Sequence, residues 1–376
     1  MKKIPDNTEI NGRVHILNPL VRLALVVVLL ALATSTALAV ERGSIFEPLN
    51  LPAVESSRAT KARLFGITRA GERLVVVGQR GFILYSDDEG QTWVQAKVPV
   101  RTTLLSVYFP TPDDGWAVGH DGVILHSADR GETWVKQLDG YEAVEIALKH
   151  YDTLLADDPE NETYLTIIDD LLFAQEQGAD RPFFMVWFQD ENTGYAVGAY
   201  NLAMATSNGG DDWFPIMEFQ ANPDFRHLYD YAILDGKRFI AGESGVLWIQ
   251  DEPDTPTRAA PYFYDGSLYT VTTTCDGKGI LTGGLGGNTF VSHDYGETWQ
   301  QVNLGTTAAV VGSTCLQDGR LVLVTQAGQI LVSRDAGQSF EYVKVENPFP
   351  LSAVEEGRPG ELVVVGLGGV RTVVVD

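Results

Sequence analysis

One short polar pattern constrains this chain more than anything else in it, because it recurs. "SDDEGQTW" ends at Trp93 and "SADRGETW" at Trp134. Each closes a longer unit: "VVVGQRGFILYSDDEGQTW" and "WAVGHDGVILHSADRGETW" are followed by "YAVGAYNLAMATSNGGDDW" to Trp213, "ILTGGLGGNTFVSHDYGETW" to Trp299 and "VLVTQAGQILVSRDAGQSF" to Phe340. Two more copies, "FIAGESGVLWIQDEP" from Phe239 and "VVVGLGGVRTVVVD" at the C-terminus, keep the apolar runs and lose the polar box. That makes seven units. Ser86 and Ser127 lie 41 residues apart, as do Ser292 and Ser333. A period of this size, built from short apolar runs and tight turns, predicts one small antiparallel sheet per unit.

Seven such sheets stacked radially close a ring and remove the exposed edges that a linear array would leave. The expected fold is therefore all-β: a seven-bladed β-propeller of four-stranded antiparallel blades over residues 40–376, with one inserted helical hairpin. The last copy ends with the chain, so Gly43 to Val54 is expected to supply its missing strand and latch the ring.

The box is read as a turn device. Its acidic residue accepts backbone N–H groups, its glycine takes a positive φ, its hydroxyls bond locally and its aromatic residue anchors the turn. These structural positions are Ser86, Asp88, Gly90 and Trp93; Ser127, Asp129, Gly131 and Trp134; Asn208, Gly210 and Trp213; Ser292, Asp294, Gly296 and Trp299; and Ser333, Asp335, Gly337 and Phe340. The pattern resembles the Asp-box of sialidases and related propellers, where such turns join the outer strands of a blade.

Ahead of the repeats, Lys2, Lys3, Arg13 and Arg22 precede the apolar run Leu23 to Ala33, and Ala37-Leu38-Ala39 forms a small-residue cleavage signal. Residues 1–39 read as a secretory signal peptide, with an uncleaved anchor as the alternative. The rest is then expected in the periplasm, peripheral to the membrane and monomeric. The net charge of −23 excludes a general nucleic-acid binder, which needs a basic face.

Between the second and third copies, Tyr141 to Asp180 carries apolar residues at helical spacing: Val144, Ala147, Tyr151 and Leu154, then Tyr164, Leu165, Ile168, Leu171 and Leu172. "DDPENE" breaks the pattern. A helical hairpin follows, either capping the propeller or docking a partner.

A search for chemistry finds little. His120, His126, His150, His227 and His293 form no close ligand pair, "GLGGNTF" at Gly284 to Phe290 reads as a strand turn, and neither a metal nor a cofactor is expected. A sialidase would need an arginine triad and a tyrosine–glutamate pair, and the spacing pairs none. Cys275 and Cys315 stand 40 apart at matching places in consecutive units and are expected as two buried thiols, a disulfide being the alternative. Arg63, Arg101, Arg181 and Arg226 each lie 15 to 18 residues before the glycine of their unit's "VG" or "AG" turn. That places all four where an innermost strand begins, on one face: scattered surface arginines, or a partner-binding patch able to grip carboxylates.

Through "GWAVGHDGVILHSADRGETW" and its repeats the chain resembles the photosystem II stability/assembly-factor-like propeller family, in its non-photosynthetic bacterial branch. The resemblance implies a non-enzymatic assembly or accessory factor for an inner-membrane protein complex, a resistance-nodulation-division type transporter being one candidate. In phototrophs such proteins look like lumenal chaperones that use an arginine patch. The acidity, the helical insertion and the sparse arginines depart from that pattern. A sialidase-like, carbohydrate-active or ligand-binding propeller is the alternative.

Overall fold

The computed structural model describes residues 47–252 and 255–375; the expected leader lies outside them. From Pro48 onward the chain forms one compact unit of seven antiparallel sheets. In each sheet the strands follow chain order, as in the first blade: Leu64–Ala70, Arg73–Gly78, Ile83–Ser86 and Val94–Gln95. The first strand of every blade packs against the first strand of the next, and the seventh, Leu351–Glu356, returns to Leu64–Ala70. These innermost strands line the axis, and the ring is closed.

Why the buried part of each blade's second strand is mostly apolar follows from this stacking. Such a strand is buried on both faces, so its residues alternate between two seams. Val75 and Val77 pack toward the second blade with Leu104 and Ala117, whereas Val76 packs toward the seventh with Val365. Among the described residues the core divides into seven such clusters, one per seam. In the six four-stranded blades the outermost strands are only two to four residues long, which blunts the edges that face outward.

The glycine of the repeated "VG" is dictated by a close approach rather than by its φ. A Cβ on Gly119 would sit 2.1 Å from the Thr103 carbonyl oxygen, and one on Gly198 2.1 Å from that of Pro182. The contact exists because every innermost strand carries a bulge at its second residue, which pushes the neighbouring backbone inward.

Two expectations need correction. The last blade has three strands among the described residues, Leu351–Glu356, Glu361–Gly366 and Gly369–Val374, and the N-terminal segment does not complete it. Residues 43–46 lie outside the described residues. The segment that follows binds the first blade instead, where Ala53 N donates to Val98 O and Gln95 Nε2 to Val54 O. The ring is latched by side chains and close packing. Arg69 donates to the carbonyls of Glu356 (2.7 Å) and Gly357 (3.1 Å), and Gly369 packs against the Thr60 carbonyl. Cys275 and Cys315, expected as free thiols, form a disulfide with a Cα–Cα distance of 5.5 Å. They stand at the same level of adjacent blades, so the repeat itself brings them into range.

The inserted hairpin comprises helices Gly140–Asp157 and Glu162–Gln177. Asp139 and Glu142 form a capping box at the first, and Asn161 caps the second. Val144, Ala147 and Tyr151 with Ile167, Leu171 and Ala174 join the core cluster of the seam between blades three and four. The hairpin lies against the short outer strand Phe214–Pro215 and covers that edge. Leu165 and Leu172, expected on the buried face, are exposed, because Ile167 and Ala174 take the inward positions. No helix of the described residues is long and apolar enough to cross a membrane.

Candidate functional site at the axial mouth

The boxes can be set aside first, because their polar groups are consumed within the turn. Ser86 Oγ donates to Asp88 Oδ1 (2.8 Å) and accepts from Gly90 N (2.8 Å), while Thr92 donates to Asp88 through its N–H (2.8 Å) and hydroxyl (2.6 Å). Trp93 Nε1 then donates to Gly90 O (3.1 Å), locking the anchor. Gly90 has φ 84°, a conformation that favours glycine. The same network recurs around Asp129, Asp294 and Asp335. The hydroxyl and backbone N–H of Thr92 and the Ser86 hydroxyl hold the half-buried Asp88 carboxyl down to about 2. In the third blade the polarity is exchanged: Asn208 Nδ2 donates to Asp212 Oδ2 (3.0 Å), so amide and carboxylate swap places. There Trp213 Nε1 is buried without a partner among the described residues.

The axial mouth is different. The bulged residue of each innermost strand is Phe65, Leu105, Phe184, Tyr229, Tyr269, Val311 and Ser352 in turn, and all seven are half-buried. Across blades three to five their rings touch: Phe184 to Tyr229 at 5.4 Å between centroids, and Tyr229 to Tyr269 at 5.3 Å. Tyr200, 48% exposed, extends this surface outward against His227 (4.8 Å), whose Nδ1 accepts from Tyr200 N (3.0 Å). The result is a half-circle of aromatic edges and faces on a rigid ring.

The four arginines do begin the innermost strands at this same end, but they are not equivalent. Arg63 is exposed, and no side-chain partner for it is found among the described residues. Arg101 donates to Pro52 O through Nε (3.3 Å) and Nη2 (3.1 Å), and so fastens the N-terminal segment. Arg226 pairs with Asp224 (2.9 Å), a carboxylate itself 66% exposed. Arg181 is 6% exposed, pairs with Asp170 of the second helix at 2.5 Å and stacks 5.1 Å over the Tyr200 ring. It clamps the hairpin to the propeller.

Sequence reading missed the aromatic arc, and also Arg80, exposed beside the Gln79 N–H that binds Arg63 O. A signal was there. Every unit has an apolar residue, then a variable one, then mostly a small or polar one: "LFG", "LLS", "FFM", "LYD", "LYT", "VVG", "LSA". The variable residue is the one presented at the mouth.

Below the arc the channel wall is polar. Asp230 accepts from Val271 N and from Thr270 Oγ1, both at 2.9 Å, and burial pushes its carboxyl up to about 6 against those hydrogen bonds. Burial likewise raises Glu355. Tyr229 is pushed up to about 12 by burial and then by the nearby charge of Glu243. Arg101, Arg181 and Arg226 are each engaged by groups of their own chain. Among the described residues no group of three His, Cys, Asp or Glu side chains is placed to hold a metal ion.

The model of the BNR/Asp-box repeat matches residues 290–301, which contain the fifth blade's box. No curated protein matches the sequence. Solved structures do. YCF48 bound to D1 peptide is 15% identical, with a TM-score of 0.61, over 87% of this chain and 98% of that one. YCF48 from Cyanidioschyzon merolae is 15% identical, with a TM-score of 0.60, over 84% and 96%. The WD40 propeller domain of Doa1 is 12% identical, with a TM-score of 0.60, over 86% and 96%. At these identities the likeness is one of fold, a β-propeller, and the BNR/Asp-box repeat model matches the box of its fifth blade.

Proposed function

We propose that this protein is a non-enzymatic, exported propeller that holds an extended segment of an inner-membrane protein complex at its axial mouth during assembly or operation of that complex. A transporter of the resistance-nodulation-division kind is the complex we propose first. The observation that carries the reading is the arc Phe184, Tyr229, Tyr269 and Tyr200, with Arg226 beginning the innermost strand of blade four and Arg63 and Arg80 exposed on blade one. Aromatic and arginine side chains are the groups most enriched among residues that dominate protein–protein binding. The bulge arrangement holds them rigidly, so little conformational freedom is lost when a segment docks. YCF48, of the same fold, has been solved with a D1 peptide bound, which supports a peptide-holding role for this architecture.

A photo-crosslinking residue placed at Tyr269 tests the reading in membranes of the source cell. Crosslinks to integral membrane proteins are expected from Tyr269, and they should fade when Arg63→Glu and Arg226→Glu are combined. The same probe at Leu165, on the exposed side of the hairpin, is the comparison. Crosslinks from Leu165 alone would move the contact to the hairpin and overturn the proposal.

A further inference from the structure

The seam between blades three and four is not filled. The fourth blade lacks a box, and the outer strands here are only Phe214–Pro215 and Arg258–Ala259. Between them lies a cavity of about 310 Å³, walled mainly by Tyr195, Ile216, Phe219, Tyr231 and Ile240 and opening past the exposed Ser207 and Phe214. The volume falls at the low end of the range for small-molecule sites, about 300–1,000 Å³.

The charge inside it is unusual. Arg238 is half-buried in this wall, stacked 4.5 Å over the Tyr195 ring. Its guanidinium donates to Gln250 Oε1 (2.8 Å) and Tyr195 Oη (3.0 Å), both neutral. No carboxylate of the described residues lines the cavity. By contrast, Arg73, Arg181 and Arg258 each hold at least one carboxylate. Arg238 is thus a half-buried guanidinium in a mainly apolar cavity whose hydrogen-bond partners are neutral side chains.

Two further polar atoms are unpartnered at the same place. Tyr231 is 9% exposed, its ring stacks on Trp187 at 5.0 Å between centroids, and its hydroxyl has no partner among the described residues. Gln220 Oε1 is buried in the same condition. Buried polar atoms normally find partners, so three imperfectly satisfied groups around one cavity point to a missing one.

We propose that this cavity binds a small carboxylate with an apolar body of one or two rings. The carboxylate accepts from Arg238 and from the Tyr231 hydroxyl, which supplies the absent countercharge. The Gln220 amide accepts a hydrogen bond from the ligand or, turned over, donates one. The body packs between Tyr195, Phe219 and Ile240. This site is in the outer part of the ring, separate from the axial mouth, and does not depend on the function proposed there.

Titration calorimetry on the whole protein tests it with 1-naphthoate and its neutral analogue 1-naphthylmethanol. Naphthoate should bind at least about tenfold more tightly, which is about 1.4 kcal/mol. Arg238→Gln keeps a donor and should erase that preference. Tyr231→Phe should weaken naphthoate several-fold without lowering the melting temperature of the unliganded protein, since it removes only an unpartnered hydroxyl. The proposal is overturned by equal affinity for the two probes, by no heat at millimolar concentration, or by a preference that survives Arg238→Gln. Should Arg238→Gln not fold, naphthoate affinity unchanged in Tyr231→Phe overturns it instead.

Discussion

The disulfide between Cys275 and Cys315 is a cross-link between adjacent blades, and its removal can be worked through. The cysteines are 40 residues apart. The chain-entropy description then gives about 4 kcal/mol of stabilisation at 25 °C, within the ~2–4 kcal/mol typical of disulfides. With an unfolding entropy of about 2.1 cal/mol/K per residue over roughly 330 residues, 4 kcal/mol lowers the melting temperature by about 6 °C. The double variant Cys275→Ser, Cys315→Ser removes the link without leaving a lone thiol. The assay is guanidinium denaturation followed by tryptophan fluorescence, with the native protein run beside it with and without a phosphine reductant. The variant and the reduced native protein should share a lowered midpoint, and the oxidised native protein should show no reactive thiol before unfolding. Identical midpoints in all three would refute the reasoning, because they would mean that the two cysteines do not restrict the unfolded chain.

Four other perturbations separate the boxes, the bulges and the channel. Asp129→Ala should cost about 0.5–2 kcal/mol, by analogy with loss of a capping side chain, and leave crosslinking at the mouth unchanged in the folded protein. Because Asp88 is held down to about 2, its contribution is in place above the ordinary carboxyl value near 4 and is lost as pH falls toward 2, which an acid-denaturation profile of Asp88→Asn beside the native protein would register. Asp230 runs the other way: raised to about 6, its contribution is complete below about 4 and is lost as pH rises through 6. Asp230→Asn should flatten the stability profile over that window, and a profile as steep as that of the native protein would reject the assignment. Gly119→Ala forces a Cβ to within 2.1 Å of the Thr103 carbonyl and should cost about 1–3 kcal/mol by overpacking, read from the denaturation midpoint.

The ring and its seven units were legible in the sequence because each blade repeats the same local solution, and a repeated pattern is hard to misread. What was not legible lay where the repeat is broken or where two units meet. The N-terminal segment has no strand pattern of its own, so its expected place came from counting strands. Its actual place is set by Arg101, whose guanidinium reaches the Pro52 carbonyl. Arg181 matched the other arginines in spacing, yet only the insertion decides its fate, since Asp170 on the second helix neutralises it. Reversing Arg181 would therefore set two carboxylates against each other inside the fold. The disulfide depends on the level at which neighbouring blades align, which spacing suggests and only coordinates establish. The mouth was missed for another reason: its residues vary from unit to unit, and attention to the repeat draws the eye to what stays constant.

That contrast bears on how such a ring acquires a function. The residues that repeat, the box carboxylates and the "VG" glycines, meet their own chain: Thr92 and Ser86 occupy Asp88, and Gly119 fits beneath Thr103. They are satisfied internally and have nothing left to offer a partner. The residues that vary are those the scaffold leaves over, the bulge positions at the axis and the wall of the unfilled seam. The aromatic arc and the cavity both fall in blades three to five, which are also where the box loses its usual chemistry at Asn208, where the fourth blade drops it, and where the helical hairpin enters the core. Among the described residues, buried polar atoms at Trp213, Gln220 and Tyr231 lie without partners in this arc, whereas the box tryptophans Trp93, Trp134 and Trp299 all have theirs. A cavity in this arc lined with arginine and tyrosine is a place where ligand chemistry can arise.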